Sequence, residues 1–152
     1  MQFYKNFIDV ELCVPSSKIS SDMREYIITL LKNEYEKKAF EKFGIINQII
    51  KIMELTKIDV SNIEGNLNLK FKLLVESYVP KIYDEIKIPI KKILSCGIFL
   101  EEPNIKILVS DYDKTKILKE GDNIHIVLTD IRFEKDSFHC LANIHEENSL
   151  LR

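Results

Sequence analysis

Glycine, proline and cysteine are scarce in this sequence of 152 residues, and tryptophan is absent. With only four glycines, the chain has no Gly-rich loop of the kind that cradles phosphate groups. The three cysteines, Cys13, Cys96 and Cys140, are odd in number and widely spaced. That pattern argues against a disulfide framework and leaves no C-x-x-C pair for zinc, so we expect reduced, mostly buried thiols in an intracellular protein.

Long apolar runs and a strong excess of one charge are also missing. No stretch approaches the ~20 apolar residues of a membrane span, and the N-terminal residues lack the layout of a signal peptide. Lys and Arg number 22 against 24 Asp and Glu, which excludes a protein that wraps nucleic acid by charge alone. We expect no membrane partner, and any contact with nucleic acid must come from a local patch.

The first half of the sequence carries the pattern of an α+β unit. Aromatic and β-branched residues, an isoleucine-rich stretch and a strict alternation of apolar and polar residues each predict a strand. Apolar residues at helical spacing predict one helix, and a run of turn formers predicts a loop. The predicted strands are 3–14, 45–53 and one starting at Leu67, the helix runs from Asp22 into 34–38, and the loop covers 56–66.

The second half predicts strand after strand, with turn signals at near-regular spacing and no helix. Five short strands of this kind are typical of a small closed barrel, and the OB type is the common five-stranded one. Lys91 and Lys92 interrupt the alternation of the first of these strands, as a β-bulge would. Pro80 marks the predicted boundary, so the fold class is α+β, with an N-terminal α+β domain at 1–80 and an OB-type barrel at 81–152.

Two groups of residues suggest enzymatic or metal chemistry. Asp111 and Asp113 follow an apolar strand, and their spacing resembles the nucleophile motif of haloacid-dehalogenase-type phosphotransferases. That fold needs parallel strands joined by helices, whereas the residues that follow predict a β-meander. His139, Cys140 and His145 lack zinc-site spacing, and the first two point to opposite faces of a strand. We expect no metal, no cofactor and no catalytic residue.

Several segments, in their order and spacing, carry a resemblance that covers nearly the whole chain. They are Phe3-Tyr4-Lys5, Lys42-Phe43-Gly44-Ile45-Ile46, Gly97-Ile98-Phe99-Leu100, Glu120-Gly121-Asp122-Asn123-Ile124 and the closing stretch 138–147. In this order the chain resembles the stalk subunit family of multisubunit DNA-directed RNA polymerases, which includes the seventh subunit of RNA polymerase II and its archaeal counterpart. The compact stretch 111–119 and the bias toward isoleucine and lysine are similar to versions carried by large cytoplasmic DNA viruses of the poxvirus type.

The resemblance implies a non-catalytic subunit. Its N-terminal tip domain would dock on the polymerase core near the clamp, and its barrel would lie near nascent single-stranded RNA. The catalytic Mg²⁺ would belong to the largest subunit, and a small helical partner binds along the stalk in cellular enzymes. A viral version would work in the host cytoplasm and virion, and a cellular one in the nucleus.

Two surfaces are predicted to carry these contacts. Exposed apolar residues in the 57–65 loop suggest an anchor on the polymerase core, although they could equally pack under the loop. Alternation along the barrel strands places one aromatic ring and several cations outside, where single strands bind OB barrels. The predicted docking residues are Phe43, Gly44, Lys57, Ile58, Val60, Asn62, Ile63 and Gly65, and the predicted RNA-binding residues are Lys87, Lys91, Phe99, Lys106 and Arg132.

Two other functions compete with the polymerase hypothesis. A free-standing OB protein that binds RNA or assists translation would have the same barrel without the docking surface. A small phosphotransferase would use Asp111 and Asp113. Co-purification from the native source separates the three, because it would yield polymerase subunits, ribosomal material or neither.

Overall fold

The computed structural model describes residues 1–15, 17, 22–60, 65–111 and 118–145. The chain divides into two compact units, a sheet unit at Gln2–Tyr78 and a barrel unit from Val79 onward. Among the described residues, no helix is both long and apolar enough to cross a membrane.

In its described residues, the sheet unit is one antiparallel sheet with one α-helix. Its strands lie in the order β1-β4-β3-β2. The short β2 was not predicted, and the predicted loop at 56–66 is wrong over 56–60, because β3 continues through those residues in register with β4. The elements are β1 (Tyr4–Val14), α1 (Met23–Tyr35), β2 (Lys38–Phe40), β3 (Gly44–Val60) and β4 (Leu67–Tyr78).

The core of the sheet unit lies between one face of this sheet and α1. Alternate residues of β1 and β4 are buried on that face, because side chains one apart on a strand point to opposite sides. Ile27 and Leu31, four residues apart on the helix, are its buried residues and pack against the sheet. Burial on β3 is confined to its first residues, and the pattern from Lys51 to Val60 is mostly exposed.

The barrel unit contains the five predicted strands, closed in the order β5-β6-β7-β9-β8. Neighbouring strands are antiparallel except β7 and β9, which run parallel. This architecture is consistent with an OB-type barrel. The predicted bulge is confirmed, since the β5–β6 register shifts between Ile90 and Lys92. The strands are β5 (Glu85–Leu94), β6 (Gly97–Glu102), β7 (Ile105–Asp111), β8 (Asn123–Glu134) and β9 (Ser137–Ile144).

Alternation fills the interior of the barrel with aliphatic side chains, as in Ile98 and Leu100 of β6 and Ile105 and Ile107 of β7, all at most 1% exposed. Gly97 opens β6 at a positive φ of 153°, and a Cβ there would collide with the carbonyl oxygen of Val109. The close approach of these two strands therefore depends on a residue without a side chain.

Candidate nucleic-acid interface

An apolar row crosses three neighbouring strands on the outside of the barrel. Phe99 of β6 pairs with Leu108 of β7, and Leu108 pairs with Leu141 of β9. Phe99 and Leu108 are half-buried, and Leu141 is 44% exposed. Directly paired side chains lie about 5 Å apart, so we call these three residues the apolar row. The prediction that Phe99 points outward while Ile98 and Leu100 face the core agrees with their burial.

Two predicted cations flank the apolar row. Lys106 lies two residues before Leu108 on the same face of β7, about 7 Å from Phe99 by strand geometry. Lys91 lies in the β5 bulge, between the residues that pair with Leu100 and Phe99. The structure therefore brings the aromatic ring and two of the predicted cations into one neighbourhood.

A glutamate sits among these cations and was missed by sequence reasoning. Glu101 pairs with Lys106 across β6 and β7, and its Oε2 lies 2.9 Å from Nζ of Lys91. The hydrogen bond from Lys91 is the main cause that lowers the pKa of Glu101, and the charges of Lys91 and Lys106 add to it. The surface near Phe99 is therefore of mixed charge, not the simple basic patch that alternation predicts.

Arg132 extends the same outer surface, and Lys87 does not. Arg132 of β8 pairs with His139, which pairs in turn with Lys106. Its Nε lies 3.9 Å from Oδ2 of Asp130, so its charge too has an acidic neighbour. Lys87 pairs with His125 on the β5–β8 side of the barrel, away from the apolar row.

Register also adds residues that the prediction did not include. Lys92 is exposed and pairs with Phe99, and Leu108 and Leu141 complete the apolar row. The sequence shows that Leu108 and Leu141 point outward, because each falls between buried neighbours. It does not show that they meet, since strand partners are set by the whole barrel.

The predicted docking residues do not form one site, because they fall at both ends of β3. Gly44 starts the strand, buried and at a φ of 79°, and Phe43 packs its ring 6.0 Å from that of Phe40. Ile58 lies near the other end, roughly 40 Å away at about 3.3 Å per residue with some shortening by bulges. Only the distal end has the exposed apolar character predicted for an anchor.

At the distal end of β3, Ile58 is 57% exposed and Val60 is 63% exposed. Lys57 forms an ion pair with Asp59, 3.5 Å between Nζ and Oδ2. Gly65 is exposed at a φ of 67°, whereas Asn62 and Ile63 lie outside the described residues. The prediction that Ile58 and Val60 are exposed agrees with the structure, although they belong to a strand rather than a loop.

An apolar cavity of about 630 Å³ lies beside this strand, between β3 and the helix. Leu55 and Ile52 of β3 face Ile27 and Ile28 of α1 across it, and Phe71 of β4 contributes as well. Leu55 is 45% exposed and Ile50 is 40% exposed. Apolar surface on the sheet unit therefore extends from the distal end of β3 to the helix.

Among the described residues, those considered for catalysis or metal binding from the sequence do not form one site. Asp111 is the last residue of β7, a strand of a closed barrel, which differs from the helix-connected parallel sheet of the phosphotransferase fold; Asp113 lies outside the described residues. Cys140 is buried and His139 is half-buried on the outside, as their alternation predicts. His145 directly follows β9, away from both. The expectation of mostly buried thiols is wrong, because Cys13 and Cys96 are exposed.

The sequence was compared with protein-family models and with curated proteins. No family model matches the chain, and no curated protein matches its sequence.

Proposed function

We propose that this chain is a non-catalytic stalk subunit of a multisubunit DNA-directed RNA polymerase, whose barrel contacts nascent single-stranded RNA. The observation that carries the proposal is the union, in one chain, of a helix-backed antiparallel sheet and a five-stranded barrel of OB-like strand order. The family that the sequence resembles has this order of units. In the proposal the sheet unit is the tip that docks on the polymerase core.

The RNA contact is placed on the outside of β6 and β7. OB barrels bind oligonucleotides across their second and third strands, which here are β6 and β7. The apolar row offers Phe99 for stacking on a base, a contact that tolerates any sequence. Lys92, Lys106 and Arg132 lie around it, in reach of phosphates. Because Glu101 and Asp130 offset part of this charge, we expect weak binding that depends strongly on stacking.

In the proposal, the chain contacts the polymerase core through the distal end of β3. Ile58 and Val60 are large apolar side chains exposed by more than half, and with the exposed Leu55 nearby on the same strand they form an apolar patch of the kind that marks interaction sites. The cavity beside Leu55 continues this surface. The partner that covers this surface in the proposal is the polymerase core. Ile58 and Val60 would become buried on docking and would anchor the chain there.

Co-purification with the tagged chain from its native source tests the proposal. The largest polymerase subunits should co-purify with the wild-type chain and should be lost from the double variant Ile58→Asp with Val60→Asp, since burying two carboxylates opposes docking. Phe7→Asp is the matched control, because Phe7 is an equally exposed apolar residue on β1 of the same sheet. Circular dichroism checks that both variants remain folded.

Each recovered set of proteins decides between the hypotheses. Polymerase subunits lost only from the double variant support the proposal and its docking surface. Ribosomal material in place of polymerase would favour the free-standing RNA-binding protein. Polymerase retained equally by both variants would move the docking surface away from the distal end of β3, and recovery of neither assembly would refute the stalk assignment.

A further inference from the structure

Three potential metal ligands converge where β5, β8 and the end of β9 meet. Glu85 opens β5, His125 lies in β8, and His145 directly follows β9. Glu85 lies two residues before Lys87, the partner of His125, so both side chains are on the outer face. The backbone N–H of His145 donates to the carbonyl oxygen of His125 at 2.8 Å, which fixes the two histidines side by side.

The side chains point their ligand atoms at one another. Nε2 of His125 lies 3.6 Å from one carboxylate oxygen of Glu85, and Nε2 of His145 lies 3.7 Å from the other. All three ligand atoms fall within 4.8 Å of one another, and the imidazole centroids are 4.4 Å apart. Both nitrogen–oxygen distances are too long for an ordinary hydrogen bond. At these distances the carboxylate of Glu85 lies within ion-pair range of both imidazoles.

A tetrahedral metal ion would hold these three ligand atoms somewhat closer together than they lie in this structure. Zinc binds imidazole nitrogen and carboxylate oxygen at about 2.1 Å, so two of its ligand atoms lie roughly 3.4 Å apart. One ligand atom from each residue lies within 4.8 Å of the other two. Small rotations of these partly exposed side chains must therefore bring the atoms closer, by up to roughly 1.4 Å, to reach that spacing. Imidazole suits zinc and neighbouring transition metals, whereas calcium and magnesium prefer oxygen ligands throughout.

We propose that Glu85, His125 and His145 form a binding site for a divalent transition metal ion, with zinc as the best match. Two histidines and one glutamate supply three of four tetrahedral positions, and the fourth would hold water, since Glu85 is half-exposed and the histidines are partly open to solvent. The ion would link β5, β8 and the end of β9, and so would tie together strands that close the barrel. The proposal does not depend on the proposed function.

The sequence-based expectation of no metal concerns His139, Cys140 and His145. His125 and Glu85 lie 20 and 60 residues before His145, so they share no local spacing pattern with it. Strand pairing brings the three residues together, and no local sequence motif indicates the site. Titration of the chain with zinc decides between that expectation and the proposed site.

The test is a titration of the full chain, with any affinity tag removed, by zinc chloride in a calorimeter. We expect one equivalent to bind and the midpoint of thermal unfolding to rise with zinc, because a ligand specific for the folded state stabilises it. Loss of groups that merely orient metal ligands weakens binding about 10–100-fold. His125→Ala and His145→Ala should therefore each cost more than about tenfold. His139→Ala, which removes the remaining histidine, should change affinity by less than about twofold.

Binding at the exposed cysteines is the competing outcome, since Cys13 and Cys96 are free thiols on the surface. A double Cys→Ser variant should retain the zinc site, and cobalt in place of zinc should show no thiolate charge-transfer absorption. His145 lies beyond the last strand, so His145→Ala keeps the test valid if His125→Ala fails to fold. The proposal is overturned if zinc does not bind, if the cysteine variant abolishes binding, or if His139→Ala weakens it as much as His145→Ala.

Discussion

Replacing Phe99 by alanine is the sharpest test of the proposed RNA contact. Phe99 is the only aromatic residue of the apolar row, and its partners Leu108 and Leu141 are aliphatic. Removing the ring therefore leaves no side chain in the row that can stack on a base. The cations nearby are unaffected, so the change separates stacking from charge attraction.

The expected loss follows from the exposure of the ring. Stacking of one base on an aromatic side chain contributes about 1–3 kcal/mol. Phe99 is half-buried between its strand neighbours, so only part of its face is open and the lower part of the range applies. A loss of about 1–2 kcal/mol corresponds to a roughly 5- to 30-fold weaker Kd. The slope of log affinity against log salt concentration should stay the same, because it depends on the number of phosphate contacts.

Fluorescence anisotropy with a labelled single-stranded RNA at fixed low salt measures this effect. Phe7→Ala is the control, because Phe7 is a 60% exposed ring with Lys72 Nζ 5.5 Å from its centroid, on the sheet unit. It therefore removes an aromatic ring beside a lysine without touching the barrel. The stacking face is misplaced if Phe99→Ala binds like the wild type, or if Phe7→Ala loses as much affinity.

Three further predictions concern charge, thiol reactivity and packing in the barrel. Glu101→Gln should tighten RNA binding and steepen its salt dependence, because it frees two lysines from one carboxylate; unchanged anisotropy titrations would contradict this. Burial, with a contribution from the charge of Asp130, raises the pKa of Cys140 to about 11, so at pH 8 only about one thiol in a thousand is ionised. Mass spectrometry of the folded chain after alkylation should find it unmodified while the two exposed cysteines react. Gly97→Ala should lower the unfolding midpoint by several degrees, since its Cβ meets backbone rather than a movable side chain; an unchanged melting curve would show that the strands can separate at little cost.

The strands of the barrel could be predicted because each of them alternates cleanly. In β7, for example, Ile105, Ile107 and Val109 are buried and Lys106 is exposed, which is the period of a half-buried strand. Turn residues at regular spacing then separate one strand from the next. These local signals are enough to predict the strands. A closed barrel is then the predicted architecture, because closure leaves no strand edge unpaired.

The composition of the candidate surfaces could not be predicted in the same way. Whether Glu101 lies beside Lys91 depends on the bulge and on the register of β5 with β6, and a shift of one residue would reverse every side chain. The same holds for Glu85, His125 and His145, which three strands bring together. Alternation tells which side chains point outward, and only the pairing of strands tells which of them meet.

The failure to predict the full length of β3 has a specific physical cause. The β3–β4 register shifts after Ile46, Ile49, Ile52 and Leu55, so one extra residue is inserted at every third position. Those four residues and Ile58 pair in turn with the inward-facing residues of β4, so the apolar spacing of β3 is three rather than two. A period of three fits neither a regular strand nor a helix, and so the distal part, with its turn formers, was predicted to be a loop. Repeated bulges bend and twist a strand strongly, which explains how β3 passes α1 and then leaves Ile58 in solvent. Apolar residues in a strand that the helix no longer covers are the physical basis for placing the docking surface there.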